Sequence, residues 1–581
     1  MYHLRRAVLV VAFLATLVLV TYFVPRALNP TPPSPEDEKR DKAWVSSSPY
    51  WIDRQACRWL SVCGLHHMRW DDPVRPRDPR VDYQVELELK RRTLNEKPAF
   101  TRWEDIGEKS SEDERLHTGA KQLKHVPDYV HKYAPLVHLY SKEHFWPSDI
   151  AEHVRHMTPY VGEEPVNMTE PVSLANMYDL NGVPGFVFLT SQDDVEQRPE
   201  WLSNDVGKPK PYQENGDNEV RVDPADGRDA DKESQSSNYE DTTWWDISRD
   251  TPLRRISAPQ DHERRDMLSK LRRRLLLSGD NPQKPFPPPP STPGHKPDSS
   301  GYSAAPAVLV VVDKGSGIVD AFWFFFYSYN LGQTVLEMRF GNHVGDWEHC
   351  MVRFENGVPR AMFLSEHAGG QAYAWAALEK RRLNATINGV SEIIERPVIY
   401  SAVGSHAMYA FPGDHAYVLP FKMLKDQTDR GPLWDPSLNN YAYFYNHTEA
   451  PPPPEDDEGA ENKELVLDES TPYPVDSAVM EAHANTTLRK RDGQATAPTS
   501  LTPAASNPEA PTSWFHFDGP WGDELYGLGD DRQWRLFGQY HYVTGPMGPK
   551  FKNLGREKVC LRYKCRILYS IDEGRKSSWH D

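Results

Sequence analysis

Apolar positions along the chain fall into a few distinct patterns. Residues 7–24, AVLVVAFLATLVLVTYFV, carry no charge. As a helix rising 1.5 Å per residue this run is about 27 Å long, close to the roughly 30 Å hydrocarbon core of a bilayer. Residues 129–150, YVHKYAPLVHLYSKEHFWPSDI, place aromatic and apolar side chains in strand-like alternation and turn at Trp146-Pro147. Between 304 and 330, AAPAVLVVVDKG and DAFWFFFYSYNLG are short β-branched and aromatic runs bounded by turn residues. The second is too short to span a membrane and reads as a buried strand. EHCMVRFENGVPRAMFLSEH reads as a hairpin, because Asn356-Gly357 between two apolar runs is a strong two-residue turn signal. RPVIYSAVGSHAMYAFPG is a further strand that runs into a Gly-Ser-His loop. Helical periodicity beyond the first run is confined to 263–277, ERRDMLSKLRRRLLL.

Between these patterns the apolar content falls away. Residues 25–120 read as a charged stem holding one aromatic island, WIDRQACRWLSVCGLHHMRW at 51–70. Residues 206–303 contain DGRDADKESQSSNYED and the polyproline-like PQKPFPPPPSTPGHKPDSSG, and 450–511 form an acidic, Pro-rich stretch with a dibasic Lys490-Arg491. Both are disordered inserts by composition. What remains, 121–205, 304–449 and 512–572, is about 285 residues, enough for one domain. The expected fold is mainly β: a β-sandwich-like domain interrupted by two inserts and preceded by one transmembrane helix.

Composition narrows the class. Of 581 residues, 51 are proline and only 38% are hydrophobic, so one core with long linkers is the economical reading. A formal net charge of −17, with no basic stripe interleaved with aromatics, argues against a nucleic-acid partner. The run 7–24 lacks a clean small-x-small cleavage site and follows Arg5 and Arg6, so it reads as an uncleaved signal anchor with residues 1–6 as a short cytoplasmic tail. Lys39, Arg40 and Lys42 offset those two arginines, but four glycosylation sequons, at Asn167, Asn384, Asn446 and Asn485, suit a luminal body. The expected location is therefore that of a single-pass membrane protein of the secretory pathway or vacuole. The five cysteines suggest local disulfides Cys57–Cys63 and Cys560–Cys565, with Cys350 left over.

The densest chemistry lies in GNHVGDWEHC, residues 341–350. On an extended strand Asp346 and Glu348 share a face, and His343 approaches from a loop that Gly341 and Gly345 allow to bend. Two carboxylates and an imidazole suit a divalent cation, Mg²⁺ or Ca²⁺, with a fourth oxygen from Glu337, Asp320 or water. The plainer alternative is a polar cluster at a sheet edge with Trp347 in the core. His349, His406, and His367 with its neighbour Glu366 are further candidates for the same mouth. Ser405 and His406, being adjacent on a strand, do not form a nucleophile–base pair, and no HExxH, P-loop or GxGxxG is present.

YAPLVHLYSKEHFWPSDI, FWFFFYSYNLG, GNHVGDWEH, AVGSHAMY, GPLWDPSLNNYAY and GPWGD, in this order, resemble the fungal vacuolar protein sorting-associated protein 62 family. The resemblance spans about 130–205, 304–449 and 512–570. It implies a membrane-associated protein concerned with delivering proteins to the vacuole, without supplying a molecular activity. NHVGDWE is also similar to the GHRHDWE heptapeptide of necrosis-inducing-like proteins, secreted β-sandwiches that use a divalent cation to engage sphingolipid head groups. By position, that similarity places His343, Asp346 and Glu348 on cation ligands. Asn342 and Gly345 depart from the motif, and Val335 stands where a further aspartate would be. The expected function is a cation-assisted binding module, for a lipid head group or a cargo protein, in vacuolar sorting. The same residues also admit a metal-dependent hydrolase of a glycan or lipid, or a structural scaffold, and the balance leans away from an enzyme.

Overall fold

The structure, a computed structural model, describes scattered positions between 11 and 50, most of 51–69, and residues 123–202, 295–335, 338–367, 369–387, 390–416, 425–448, 498–536, 538–561 and 566–576. Among them no helix is long and apolar enough to cross a membrane. The expected span 7–24 lies outside the described residues except for Val11, Phe13, Thr16 and Leu19, which are helical. The expected helix at 263–277 and the dibasic pair Lys490-Arg491 also lie outside them.

The body is built on an eight-stranded sheet. Its strands are β2 (Ala307–Gly315), β3 (Ile318–Asn330), β4 (His343–Glu355), β5 (Val358–Glu366), β6 (Gly369–Ala374), β10 (Asn440–Tyr445), β11 (Leu501–Pro503) and β12 (Ile567–Leu568). They lie in the order β11-β10-β2-β3-β4-β5-β6-β12. The middle of the sheet is an antiparallel meander from β2 to β6, whereas β10 joins β2, and β12 joins β6, in parallel. A second sheet contains β1 (Leu136–His138), β7 (Lys380–Ile387), β8 (Val390–Ser401) and β9 (Leu433–Trp434), in the order β7-β8-β1-β9.

Both faces of the central sheet are buried, and the period-two geometry of strands sorts their side chains cleanly. Phe322, Phe324 and Phe326 of β3 join Val308 and Val310 of β2 in one core, together with Val154, Leu189, Trp514 and Trp521 from the segments covering that face. Trp323, Phe325 and Tyr327 join Leu309 and Val311 in the other core, against Val137, Ile399 and Trp434 of the second sheet. A strand with only one buried face alternates apolar with polar residues, so the unbroken run FWFFFY already encodes two covered faces. The molecule is thus mainly β, as expected, but the central sheet is covered on both sides rather than on one.

Turn chemistry follows the sequence closely at the β4–β5 hairpin. Asn356 and Gly357 both have positive φ, 50° and 76°, the backbone of the turn that matches strand twist. The segment at 129–150 departs from expectation. Asp128–Lys132 is a short helix, and only Leu136–His138 is strand.

Both expected inserts are shorter than composition suggested. Residues 295–303 belong to the body: His295 Nε2 lies 2.8 Å from Glu152 Oε2, and the Gly301 carbonyl accepts from Asp435 N at 2.8 Å. Hydrogen bonds rather than apolar contacts hold this segment, which is why its polarity resembled that of a linker. Residues 498–511 also return to the body, with Leu501 buried and β11 paired to β10. Pro503 is tolerated there because β11 is the edge of the sheet.

The stem's aromatic island docks on the body. Helix α1 (Trp51–Leu60) is tied to Val62–Cys63 by the Cys57–Cys63 disulfide, and Val62–Cys63 pairs with Arg535–Leu536. Cys560 is disulfide-bonded, Cys565 lies outside the described residues, and Cys350 is a buried free thiol.

One buried ion pair clamps the second sheet to its loops. Arg396 donates to both carboxylate oxygens of Asp435 at 2.6 Å and to the carbonyls of Ala134 and Pro135 at 2.8 and 3.2 Å. Lysine keeps the charge but not the planar fork, so Arg396→Lys is expected to cost about 2 kcal/mol, read by urea unfolding. An unchanged midpoint would show that the fork adds nothing beyond its charge.

Candidate functional site

The site forms where β4 begins. Gly341 and Gly345 take φ of 89° and 71°, and a Cβ at Gly345 would stand 2.5 Å from the Trp521 carbonyl oxygen. The glycine therefore lets the strand start close against the 521–523 loop, and that start aims the motif. Asp346 lies opposite Tyr327 and Glu348 opposite Phe325, so both carboxylates share the face that looks toward the second sheet. His343, Asp346 and Glu348 are each about 5–6% exposed, so all three are nearly buried.

Each of the three already has a partner. His343 Nδ1 donates to the Gly345 carbonyl at 2.6 Å, which fixes the ring and leaves Nε2 as the acceptor. Burial lowers the pKa of this imidazole. Glu348 accepts a hydrogen bond from the Ser365 hydroxyl, whose oxygen in turn accepts from His349 N. Burial, reinforced by the negative charge of Asp346, pushes the Glu348 carboxyl up to about 8. Asp346 Oδ2 accepts from His406 Nδ1 at 2.8 Å.

His406 is the hub of this face. It sits at positive φ, 55°, in the loop after β8, and its ring stacks on Tyr327 with centroids 3.6 Å apart and planes 2° from parallel. Its Nε2 donates to the Phe145 carbonyl at 3.2 Å and lies 3.7 Å from Glu143 Oε1. Burial alone would lower its pKa, but hydrogen bonds and charge from Asp346 and Glu143 override that and push it up to about 9. Glu143 moves the other way. Burial opposes its ionisation, yet His406 and the N–H groups of Phe145 and Gly404 hold its pKa below the ordinary value.

A second carboxylate hub lies beyond it. Asp426 accepts from the Ser405 hydroxyl at 2.7 Å and the Tyr409 hydroxyl at 2.8 Å, and pairs with His367 Nε2 at 2.7 Å. Ser405 is thus spent on a carboxylate and points away from nucleophilic chemistry. Glu366, next to His367, is buried with Oε1 lacking a hydrogen-bond partner, and burial raises its pKa well above the carboxylate range.

Two sequence candidates do not join the site. His349 lies on the opposite face of the sheet, stacked on Phe324 at 5.2 Å with both ring nitrogens buried and unpartnered. Strand alternation separates it from Glu348. Asp320, offered as a fourth oxygen, pairs with Arg353 at 2.7 Å and lies opposite that residue in the β3–β4 ladder, roughly 23 Å along β4 from Asp346. Glu337, the other protein candidate, lies outside the described residues. Of the sequons, Asn167 and Asn446 are exposed, Asn384 falls within β7, and Asn485 lies outside the described residues.

Two carboxylates and an imidazole acceptor fit a hard divalent cation in kind. In placement, Asp346 is committed to His406, and among the described residues no three His, Cys, Asp or Glu side chains are arranged to hold a metal ion. Glu143 and Asp426 escaped the sequence reading because each meets its partners across long stretches of chain.

Residues 313–419 match the family profile described as vacuolar protein sorting-associated protein 62. Over 478 residues the chain is 31% identical to the putative vacuolar protein sorting-associated protein TDA6 of Saccharomyces cerevisiae, covering 78% of this chain and 71% of that one. Over 462 residues it is 31% identical to vacuolar protein sorting-associated protein 62 of the same yeast, covering 76% and 69%. Two solved structures, "Toxin fold for microbial attack and plant defense" and "NLPPya in complex with glucosamine", align at 14% identity and a TM-score of 0.11. They cover 18% and 21% of this chain and 56% and 50% of their own, and at that score they carry no argument about its fold.

Proposed function

The chain belongs to the vacuolar protein sorting-associated protein 62 family, and from that premise we propose that it supports protein delivery to the vacuole as a luminal binding module anchored through residues 7–24. Its ligand is a lipid head group or a cargo protein that meets the mouth at the start of β4. The supporting observation is that Asp346 and Glu348 share one face of the central sheet, with His343 two residues before Gly345 at the start of the same strand.

Mg²⁺ or Ca²⁺ is the cofactor that suits these donors. His343 would offer Nε2, and Asp346 and Glu348 one carboxylate each, once Asp346 turns from His406. A bound cation neutralises the paired carboxylates and polarises oxygen donors of an anionic or hydroxyl-rich ligand. His343, held by the Gly345 carbonyl through Nδ1, keeps Nε2 as an acceptor, and Ser365 orients Glu348.

The test compares the full-length chain with its His343→Ala/Asp346→Ala/Glu348→Ala variant, by metal analysis and by thermal melts with Ca²⁺ or Mg²⁺. Saturation at a hundredfold over Kd should stabilise the wild type by about 2.7 kcal/mol and the variant not at all. If neither chain holds an ion or responds to one, the cation role is lost and the mouth must bind by hydrogen bonds alone.

A further inference from the structure

Helix α1 turns an aromatic face away from the body. Trp51, Ile52 and Trp59 are 65%, 69% and 65% exposed, with Tyr50 and Arg58 beside them also exposed. Positions 51, 52, 55, 58 and 59 follow the three-and-four spacing of a single helical face. Trp59 Nε1 donates to Gln55 Oε1 at 3.1 Å across that face. The helix's one acidic residue, Asp53, is buried on the opposite side, where it accepts from Leu65 N at 2.9 Å and pairs with His66.

The inner face is pinned, so the helix cannot roll its aromatics inward. Cys57 is bonded to Cys63, Cys57 and Cys63 pack with Trp44 and Leu528, and Val62–Cys63 is laddered to Arg535–Leu536. Beyond α1 and the adjoining Tyr50 and Leu65, the exposed large apolar side chains of the described body are Val358, Ile393 and Tyr569, on separate stretches of chain. Scattered residues of that kind are ordinary on a protein surface, whereas an apolar cluster rimmed by polar residues marks a contact.

We propose that this face docks on the bilayer surface, on the luminal leaflet from which residues 7–24 emerge. The proposal rests on the anchor reading for its tether, and on the helix for its chemistry. Tryptophan and tyrosine favour the head-group region, where the ring is half buried and the N–H or O–H stays wet. Arg58, on a face without an acid in a chain of net charge −17, offers a guanidinium to lipid phosphate. Residues 25–50 reach at most ~90 Å when fully extended, which keeps α1 near the membrane and raises its effective concentration there. Docking would set the orientation of the body, through α1 and the Val62–Cys63 ladder, relative to the membrane.

The experiment places benzoylphenylalanine, a photo-crosslinker, at Trp51, Trp59, Ile393 or Tyr569 in the full-length chain. Each variant is reconstituted in phosphatidylcholine vesicles containing phosphatidylserine, irradiated, and analysed for adducts. All four positions are exposed, so each variant should melt with the wild type. Lipid adducts at 51 and 59, about tenfold above those at 393 and 569, are expected for a helix lying in the interface. Adducts at 51 and 59 to polypeptide instead, or lipid adducts no higher than at 393 and 569, would overturn the proposal. An alkaline carbonate wash tests the anchor separately. A chain released by the wash that still gives lipid adducts at 51 and 59 loses the anchor reading and keeps the docking face.

Discussion

Exchanging His406 for alanine is expected to cost about 3–5 kcal/mol at pH 6, because the change strands two buried carboxylates, Asp346 and Glu143, without their shared cation. The geometry supporting this is tight: one ring nitrogen 2.8 Å from Asp346, the other 3.7 Å from Glu143, and the ring flat against Tyr327. The pH dependence has a definite sign. With a folded pKa of about 9 against an ordinary 6.5, the imidazolium contributes its full stability below pH 6.5 and loses it as pH rises through 9. The variant's deficit should therefore be largest near pH 6 and shrink by pH 9.5. Urea unfolding at the two pH values measures it. A deficit below about 1 kcal/mol at pH 6 would mean that the two carboxylates are not both ionised around the ring.

The second large effect runs in the opposite direction. Glu348→Gln should stabilise the protein at pH 8.5 and leave it nearly unchanged at pH 4. Burial and the Asp346 charge raise this carboxyl to about 8 from an ordinary 4.5, so the folded state keeps a proton that the unfolded chain releases. That contribution is complete below pH 4.5 and is lost as pH climbs through 8. Glutamine copies the protonated form and still accepts from Ser365, so it escapes the loss. At about 1.4 kcal/mol per pKa unit and about 2–4 °C per kcal/mol, the gain in melting temperature at pH 8.5 should reach about 10 °C or more. A gain of equal size at both pH values would show that charge is not its cause. Calcium or magnesium provides an internal comparison, since a cation held by Glu348 would bring the wild type toward the variant at pH 8.5.

Local patterns made much of this molecule legible. Asn356-Gly357 specified its hairpin because both residues accept positive φ without penalty, and FWFFFY specified the central strand through its uninterrupted apolar content. The shared face of Asp346 and Glu348 followed from the period of two, and the same rule places His349 behind the sheet. What remained hidden was long-range. His406 meets Asp346 from the loop after β8, and Glu143 meets His406 from a different segment, neither with a local signature. Edge strand β11 was hidden for another reason. Its proline and its polar neighbours suit an edge and a linker equally well.

The order in which the central sheet receives its strands bears on how the chain folds during synthesis. β2 through β6 are consecutive, so each new strand finds its neighbour already made, and the aromatic β3 is flanked soon after it emerges. The free edge of β2 has no such protection. Its partner β10 begins at Asn440, and β11, which covers β10, at Leu501. Throughout that interval the nascent chain presents the backbone of AVLVV, an open strand edge of the kind that recruits foreign strands. Truncations between residues 315 and 440 should therefore yield aggregates rather than smaller folded bodies.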